Sequence, residues 1–363
     1  MAAGPKTIQE AIGHFADPKN CISYLAARRW KDGVVCPTCG SKNVSFLASR
    51  SLWQCKTRHP KAQFSIKVGT IFEDSPIALD KWLLAMWQLA NCKNGFSSYE
   101  LHRAIGVSQK TAWFMLQRIR LAMQDDRSGG KLNGEIEIDE TFPGGKVHNM
   151  HHDRKQRVMQ GKTGGPTGKI PVHAMLQRGG QVRATVMEDR SWTSMNGPIL
   201  DNIEPGAHLF TDEANAYFGL RGEYVHEFIN HAEAYVNGNV HTKRIENFWS
   251  LLKRGLGGTY ISVEPFHLFR YVDEQAFRSN HRKGMNDGDR FHTLCTRVVG
   301  KQLIRSRAVL GGRLLESGSF SLWPRLAWIR VDPLAIFLYA FFQNLARYRK
   351  YAIHDIGEAF VLG

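Results

Sequence analysis

The chain has 363 residues, 43% of them hydrophobic, which supplies apolar material for two or three packed domains and excludes a disordered tail protein. Its formal charge of +15 is spread along the whole sequence rather than gathered in one arm, so a polyanionic partner is expected, nucleic acid first and an acidic membrane surface second. The opening "MAAGPKTIQEAIGHFADPKN" lacks the order of a signal peptide, and the longest apolar run, "PLAIFLYAFF" at 333–342, is too short for a bilayer, so a soluble cytoplasmic protein without a membrane role is expected.

After an N-terminal helical segment, 1–30, three of the six cysteines fall within twenty residues of one another. Cys36 and Cys39 form a C-x2-C knuckle with Pro37 and Gly40 in its turn; Cys55 follows, and His59 stands four residues beyond it. Without a signal peptide these thiols argue for metal rather than disulfides. The natural reading of 31–72 is a zinc ribbon, in which Cys36, Cys39, Cys55 and His59 hold Zn2+ tetrahedrally and the metal replaces a core the unit is too small to build. The plainer alternative is three reduced thiols and a surface histidine. Cys21, Cys92 and Cys295 read as packing residues.

Residues 73–124 read as helical, with Pro76 and Asp80 at a start and Asn94-Gly95 at a stop. Ser97 or Ser98 caps a second helix, Gly106 makes a turn, and Ser108 caps a third whose Trp113, Leu116, Ile119 and Met123 share one face. Gln109, Lys110, Gln117, Arg118 and Arg120 are then expected to point outward, as in a helix-turn-helix that meets DNA through Lys110, Gln117 and Arg118. A plain helical hairpin is the alternative.

A linker at 125–133, "DDRSGGKLN", precedes a change from helical to alternating pattern. In "GEIEIDETF", Ile136 and Ile138 occupy one side of a strand and Glu135, Glu137 and Asp139 the other. "KIPVHAMLQRGGQVRATVMED" reads as a hairpin around Gly179-Gly180, "TSMNGPILDNI" as helix, and "AHLFTDEANAY" and "EYVHEFIN" as strands. The order predicts an α/β domain over 134–303 with a mixed sheet and flanking helices. The basic stretch between the first two strands, with Lys146, Arg154, Lys155 and the histidines of "VHNMHHDRK", is expected to be a solvated loop facing DNA.

Three acids stand out by placement. Asp139 lies in a strand otherwise rich in Ile, Asp212 ends another strand, and Glu246 follows thirty-four residues later on the helix "HTKRIENFWSLLKRG". A carboxylate in an apolar strand is costly unless it meets a cation. Two aspartates from adjacent strands and a glutamate from a packed helix would cage Mg2+ or Mn2+, and paired ions in such a cage serve displacement at phosphorus. On that helix Ile245, Phe248, Trp249, Leu252 and Leu256 form the apolar stripe, while Glu246, Ser250 and Lys253 share a flank. Read by itself, that flank is an ordinary solvated surface.

Taken together, "CPTCG", "QFSIKVGTIFEDSPIALDKW", "SSYELHRAIGVSQKTAWFMLQRIRLAM", "EIDETFPGGK", "LFTDEANAY" and "HTKRIENFWSLLKRGLGGTYISVEPFHLFRYVDEQAFRSNHR" resemble the bacterial insertion-sequence transposases of the DDE class in the fifteen-ninety-five family, over about residues 8 to 303. The resemblance implies an RNase H-like catalytic domain behind a zinc ribbon and a helix-turn-helix-like region. It implies Asp139, Asp212 and Glu246 as the catalytic acids, with Lys253 the basic residue that follows; some relatives use Asn in place of the third acid, and Asn247 is adjacent here. It implies a Mg2+-dependent enzyme acting on terminal inverted repeats and target DNA, with Lys253 and Arg254 among the phosphate contacts and at least two subunits on two ends, located with the nucleoid. The tail 304–363 has no counterpart in that resemblance; a frameshifted or read-through end is expected there, with a helical domain as the alternative. Rival functions are a DNA-binding regulator without catalysis, an RNase H-like nuclease of another class, and an inactive transposase remnant.

Overall fold

The computed structural model describes residues 4–125, 129–144, 152–159, 169–211, 215–220, 222–228, 242–261 and 263–301. The tail beyond 301 lies outside them, as do Asp212, Lys146 and most of the basic stretch between the first two strands of the larger sheet.

The N-terminal half is built from short helices, all but α3 (Leu79–Asn91) with a side-chain cap at the start. In α1 (Ile8–Phe15) the Thr7 side chain accepts from Glu10 N, and in α2 (Pro18–Arg29) Asp17 accepts from Lys19 N ahead of a proline in the first turn. A three-stranded antiparallel sheet follows, β1 (Val44–Leu47), β2 (Leu52–Cys55) and β3 (Gln63–Phe64). Then come α3 (Leu79–Asn91), α4 (Ser98–Ile105) and α5 (Gln109–Met123). Ser97 and Glu100 form a reciprocal capping box on α4, Gly106 ends it at φ +61°, and Ser108 caps α5 by accepting from Thr111 N. This is the expected helix, glycine turn and helix.

One expectation about α5 is corrected. Gln117 and Arg120 point inward: Gln117 is buried with its amide 3.5 Å from the Tyr271 hydroxyl, and the Arg120 guanidinium is 2.7 Å from Glu274. Arg118 is half-buried and donates to the carbonyls of Ile71 and Glu73. The reason is packing on every side: Ala112, Met115, Leu116, Ile119 and Met123 lie in one core with Trp82, Met86 and Leu101 of the neighbouring helices. That core also takes in Trp53 and Phe64 of the small sheet, so the ribbon borrows apolar support from the helices.

The second half is a five-stranded mixed sheet of β4 (Glu135–Thr141), β5 (Val172–Gln177), β6 (Val182–Val186), β7 (His208–Thr211) and β8 (Val225–Phe228), ordered β6-β5-β4-β7-β8. β4, β5 and β6 form an antiparallel meander, and β7 and β8 continue parallel to β4. Helix α6 (His152–Met159) lies between β4 and β5 in sequence, where a loop was expected. Helix α7 (Trp192–Asn202) supplies the crossover that a parallel neighbour requires. It packs on one face of the sheet with Ile136, Ile138, Met175 and Leu209, while α8 (Lys243–Arg254) and α9 (Leu268–Asn280) pack on the other with Val172, Ala174 and Leu176. This is the RNase H-like arrangement. After α9, α10 (Asp287–Thr296) returns to the N-terminal core through Phe291 and Leu294. No helix of the described residues is long and apolar enough to cross a membrane.

Candidate functional site

Strand alternation sends Ile136 and Ile138 into the α7 face and Glu137 and Asp139 toward α8. The two acids on that face meet different environments. Glu137 is fully buried: its Oε1 accepts from Arg178 Nε at 3.0 Å, and its Oε2 accepts from the backbone N–H groups of Arg244 at 2.9 Å and Ile245 at 3.1 Å. Thr242 makes no side-chain cap on α8, so a carboxylate from the strand caps that helix in its place, where the helix dipole favours negative charge. Arg178, held over the Phe210 ring at 4.1 Å, supplies the countercharge that makes the buried carboxylate tolerable.

Asp139 is half-buried. Its Oδ1 accepts from Glu140 N at 2.7 Å, and its Oδ2 accepts from the Trp249 indole at 2.9 Å. Trp249 lies one turn beyond Glu246 on α8, so the helix face that reaches Asp139 also carries Glu246. Glu246 is exposed and accepts from the Thr242 hydroxyl at 3.2 Å. Lys253 and Arg254 are exposed in the last turn of the same helix. Asp212 lies outside the described residues; the strand before it, β7, pairs in parallel with β4, setting Phe210 beside Glu137.

A second group converges in the ribbon. Cys36, Cys39, Cys55 and His59 present four ligand atoms all within 4.8 Å of one another. Cys36 Sγ is 3.5 Å from His59 Nε2, and Cys39 Sγ is 3.7 Å from Cys55 Sγ. Zn–S bonds of about 2.3 Å in a tetrahedron set sulfurs about 3.8 Å apart, so the spacing fits zinc. Gly40 at φ +75° closes the first knuckle, and the Nδ1 of His59 lies 2.6 Å from the Pro60 carbonyl, which turns Nε2 to the cluster. Burial pushes the Cys55 thiol up, but the hydrogen bonds of His59, the Thr57 backbone and Cys39 outweigh it and hold the pKa at about 6. A set of three thiols and an imidazole is a zinc set rather than a magnesium one.

Two segments of the chain match known families. Residues 131–280 match the family described as the ISXO2-like transposase domain, and residues 17–57 match the transposase zinc-ribbon domain. The chain is also 30% identical over 256 residues to an uncharacterised protein in transposable element ISH50 of Halobacterium salinarum, covering 68% of this chain and 85% of that relative. The chain belongs to the fifteen-ninety-five family of insertion-sequence transposases. At the level of the family this carries transposase activity, and the ribbon suggests DNA as a partner.

Of the DNA-contact candidates in this transposase, Lys110, Lys253 and Arg254 are exposed, Lys155 is half-buried on α6, and Arg154 falls on that helix. Gln117 and Arg118 are engaged in the protein interior as described above. Sequence reasoning missed Glu137, Arg178 and Trp249. The signal was present for Glu137, since period two places it on the face of Asp139, and absent for Arg178 and Trp249, whose partners lie 41 and 110 residues away.

Proposed function

We propose that this transposase binds the terminal inverted repeats of its element and carries out metal-dependent strand cleavage followed by strand transfer. Asp139, Asp212 and Glu246 are the carboxylates assigned to Mg2+ or Mn2+, and Lys253 is the cation assigned to the phosphate. The observation that carries this reading is the Trp249 to Asp139 hydrogen bond, because it sets the helix bearing Glu246 and Lys253 against the central strand bearing Asp139. Asp212 follows Thr211, the last residue of the parallel neighbour β7, in the sequence.

The donor set at this site is carboxylate oxygen, which suits a hard divalent cation. Bound Mg2+ supplies Lewis-acid polarisation of the phosphodiester and a lower pKa for the attacking hydroxyl. Asp139 is oriented in advance by two N–H donors, and Lys253 and Arg254 project from the end of α8 to hold DNA phosphates. Water cuts one strand and the freed 3′ hydroxyl then attacks target DNA, with no covalent protein intermediate. The ribbon, 31–72, and the helical region, 73–124, locate the repeats, with Lys110 the exposed candidate on α5, while 134–303 performs the chemistry. Lys146, Arg154 and Lys155 in the insertion after β4 add phosphate contacts, and two copies pair two ends in a nucleoid-associated complex.

The test is incubation of purified protein and Mg2+ with a fragment carrying the element's flanking repeats. Asp139→Asn is expected to lower cleavage by more than about 100-fold, the upper range for losing an outer partner of a metal ligand, while gel-shift affinity for the fragment is kept. Equal cleavage by wild type and variant would remove Asp139 from the chemistry. Cleavage without joining of pre-cut ends would make the protein a nuclease of another class.

A further inference from the structure

We propose that Glu137 and Trp249 are positioning residues that together set the separation of Asp139 and Glu246, an inference that rests on the metal-site reading above. They clamp α8 to β4 at two points. At the first, the Glu137 carboxylate accepts the N–H groups of Arg244 and Ile245; at the second, the Trp249 indole donates to Asp139.

The spacings of the two elements match. From residue 137 to 139 a strand advances about 6.7 Å. From Ile245 to Trp249 a helix advances about 6 Å. One repeat of the strand face therefore runs beside about one turn of α8, and Glu246 falls between the two clamps. The side chains that make the clamps are buried, Glu137 at 0% and Trp249 at 3% exposure, while Asp139 is half-buried. Glu246 itself is exposed, so its place relative to Asp139 is inherited from the helix that carries it.

Each clamp has its own support. Arg178 holds the other oxygen of Glu137 at 3.0 Å and reaches Glu135 at 3.2 Å, which fixes the carboxylate against the turn between β5 and β6. Trp249 packs in the core with Phe248, Leu252 and Leu268, which fixes the indole. A carboxylate has about four acceptor sites, so Asp139 can take the two N–H donors described and still ligate metal. An N–H on a metal-ligating carboxylate orients it, and loss of such a partner commonly lowers metal affinity about 10- to 100-fold.

The experiment measures Mn2+ binding alone, by titration calorimetry on zinc-loaded full-length protein, for wild type, Trp249→Phe, Glu137→Gln and Asp139→Asn. Trp249→Phe keeps an aromatic ring in the core and removes the N–H donor together with the five-membered ring. About 10-fold weaker Mn2+ binding is expected for Trp249→Phe and at least as large a loss for Glu137→Gln, with wild-type circular dichroism. If Asp139→Asn abolishes binding while Trp249→Phe binds as tightly as wild type, the indole is core packing and the positioning inference falls. If Asp139→Asn also binds Mn2+ like wild type, the metal-site reading itself falls. Should Glu137→Gln not fold, Trp249→Phe decides the question.

Discussion

The ribbon and the five-stranded sheet bring distant side chains together in opposite ways. The ribbon draws four ligands from twenty-four consecutive residues, Cys36 to His59, on turns beside short strands whose apolar support is borrowed from the helices around Trp30 and Trp82. The sheet joins Asp139 to a helix 110 residues away, between two cores of its own. A local cluster leaves shape to a metal; a long-range contact is shaped by the packing of the fold.

The largest expected effect follows from that contrast. Structural zinc in small fingers contributes about 10–16 kcal/mol of apparent binding free energy, which is folding free energy there. Cys36→Ser, or exhaustive chelation, is expected to take zinc from one per chain to none and to expose the amides of 36–64 to hydrogen exchange. Protection in β4, β5 and β7 is expected to persist. If the sheet loses protection along with the ribbon, the two regions share one cooperative unit and the contrast fails.

The joint between the regions is the next place to press. Glu274 on α9 is fully buried and binds Arg120 of α5 at 2.7 Å, Arg278 of its own helix, and the Tyr260 hydroxyl at 2.5 Å. Burial would raise this carboxyl; the guanidinium groups of Arg278 and Arg120 and the bond from Tyr260 hold it below its ordinary value. Tyr260 ends the six-residue π-helical extension of α8 and also accepts from Phe96 N, so the turn between α3 and α4 touches the same knot. Removing one partner of a buried pair costs about 3–5 kcal/mol. Arg120→Met is therefore expected to destabilise urea unfolding at the lower end of that range, since Arg278 remains. Two separate transitions in the variant would mean that this knot alone couples the helical core to the sheet.

Legibility in the sequence followed the same divide. Caps and turns were readable because they are local: Ser97, Gly106 and Ser108 stand where the chain ends and begins its helices. The knuckle spacing gave the ribbon ligands, and alternation in "GEIEIDETF" gave the two faces of β4. The outward face expected for α5 failed at Gln117 and Arg120 because a polar residue on a helix surrounded by packed neighbours can be satisfied by a distant partner, here Tyr271 and Glu274. Periodicity carries no information about such partners. For the same reason the Glu137 cap on α8 was invisible: a cap normally comes from the residue before the helix, and this one comes from a strand more than a hundred residues earlier.

The substitution with the smallest expected effect at neutral pH separates the sheet from the ribbon by acid. His173 on β5 lies opposite Glu140 of β4 and Thr185 of β6, fully buried, and neither ring nitrogen has a hydrogen-bond partner among the described residues. Burial depresses its pKa from 6.5 to about 4. The folded protein keeps this imidazole neutral while the unfolded chain takes a proton below pH 6.5, so the stability it permits is complete above that pH and lost as pH falls toward 4. The loss amounts to about 3 kcal/mol over that window. His173→Met, an apolar replacement beside Met175, is expected to leave urea stability at pH 7.5 nearly unchanged and to flatten its decline between pH 6.5 and 4. Any acid sensitivity left in the variant but removed by prior chelation belongs to the thiolates of the ribbon, which must lose zinc as they protonate. An unchanged slope in His173→Met would show that the imidazole finds an acceptor on protonation, and the sheet would then carry no acid-labile group of its own at this position.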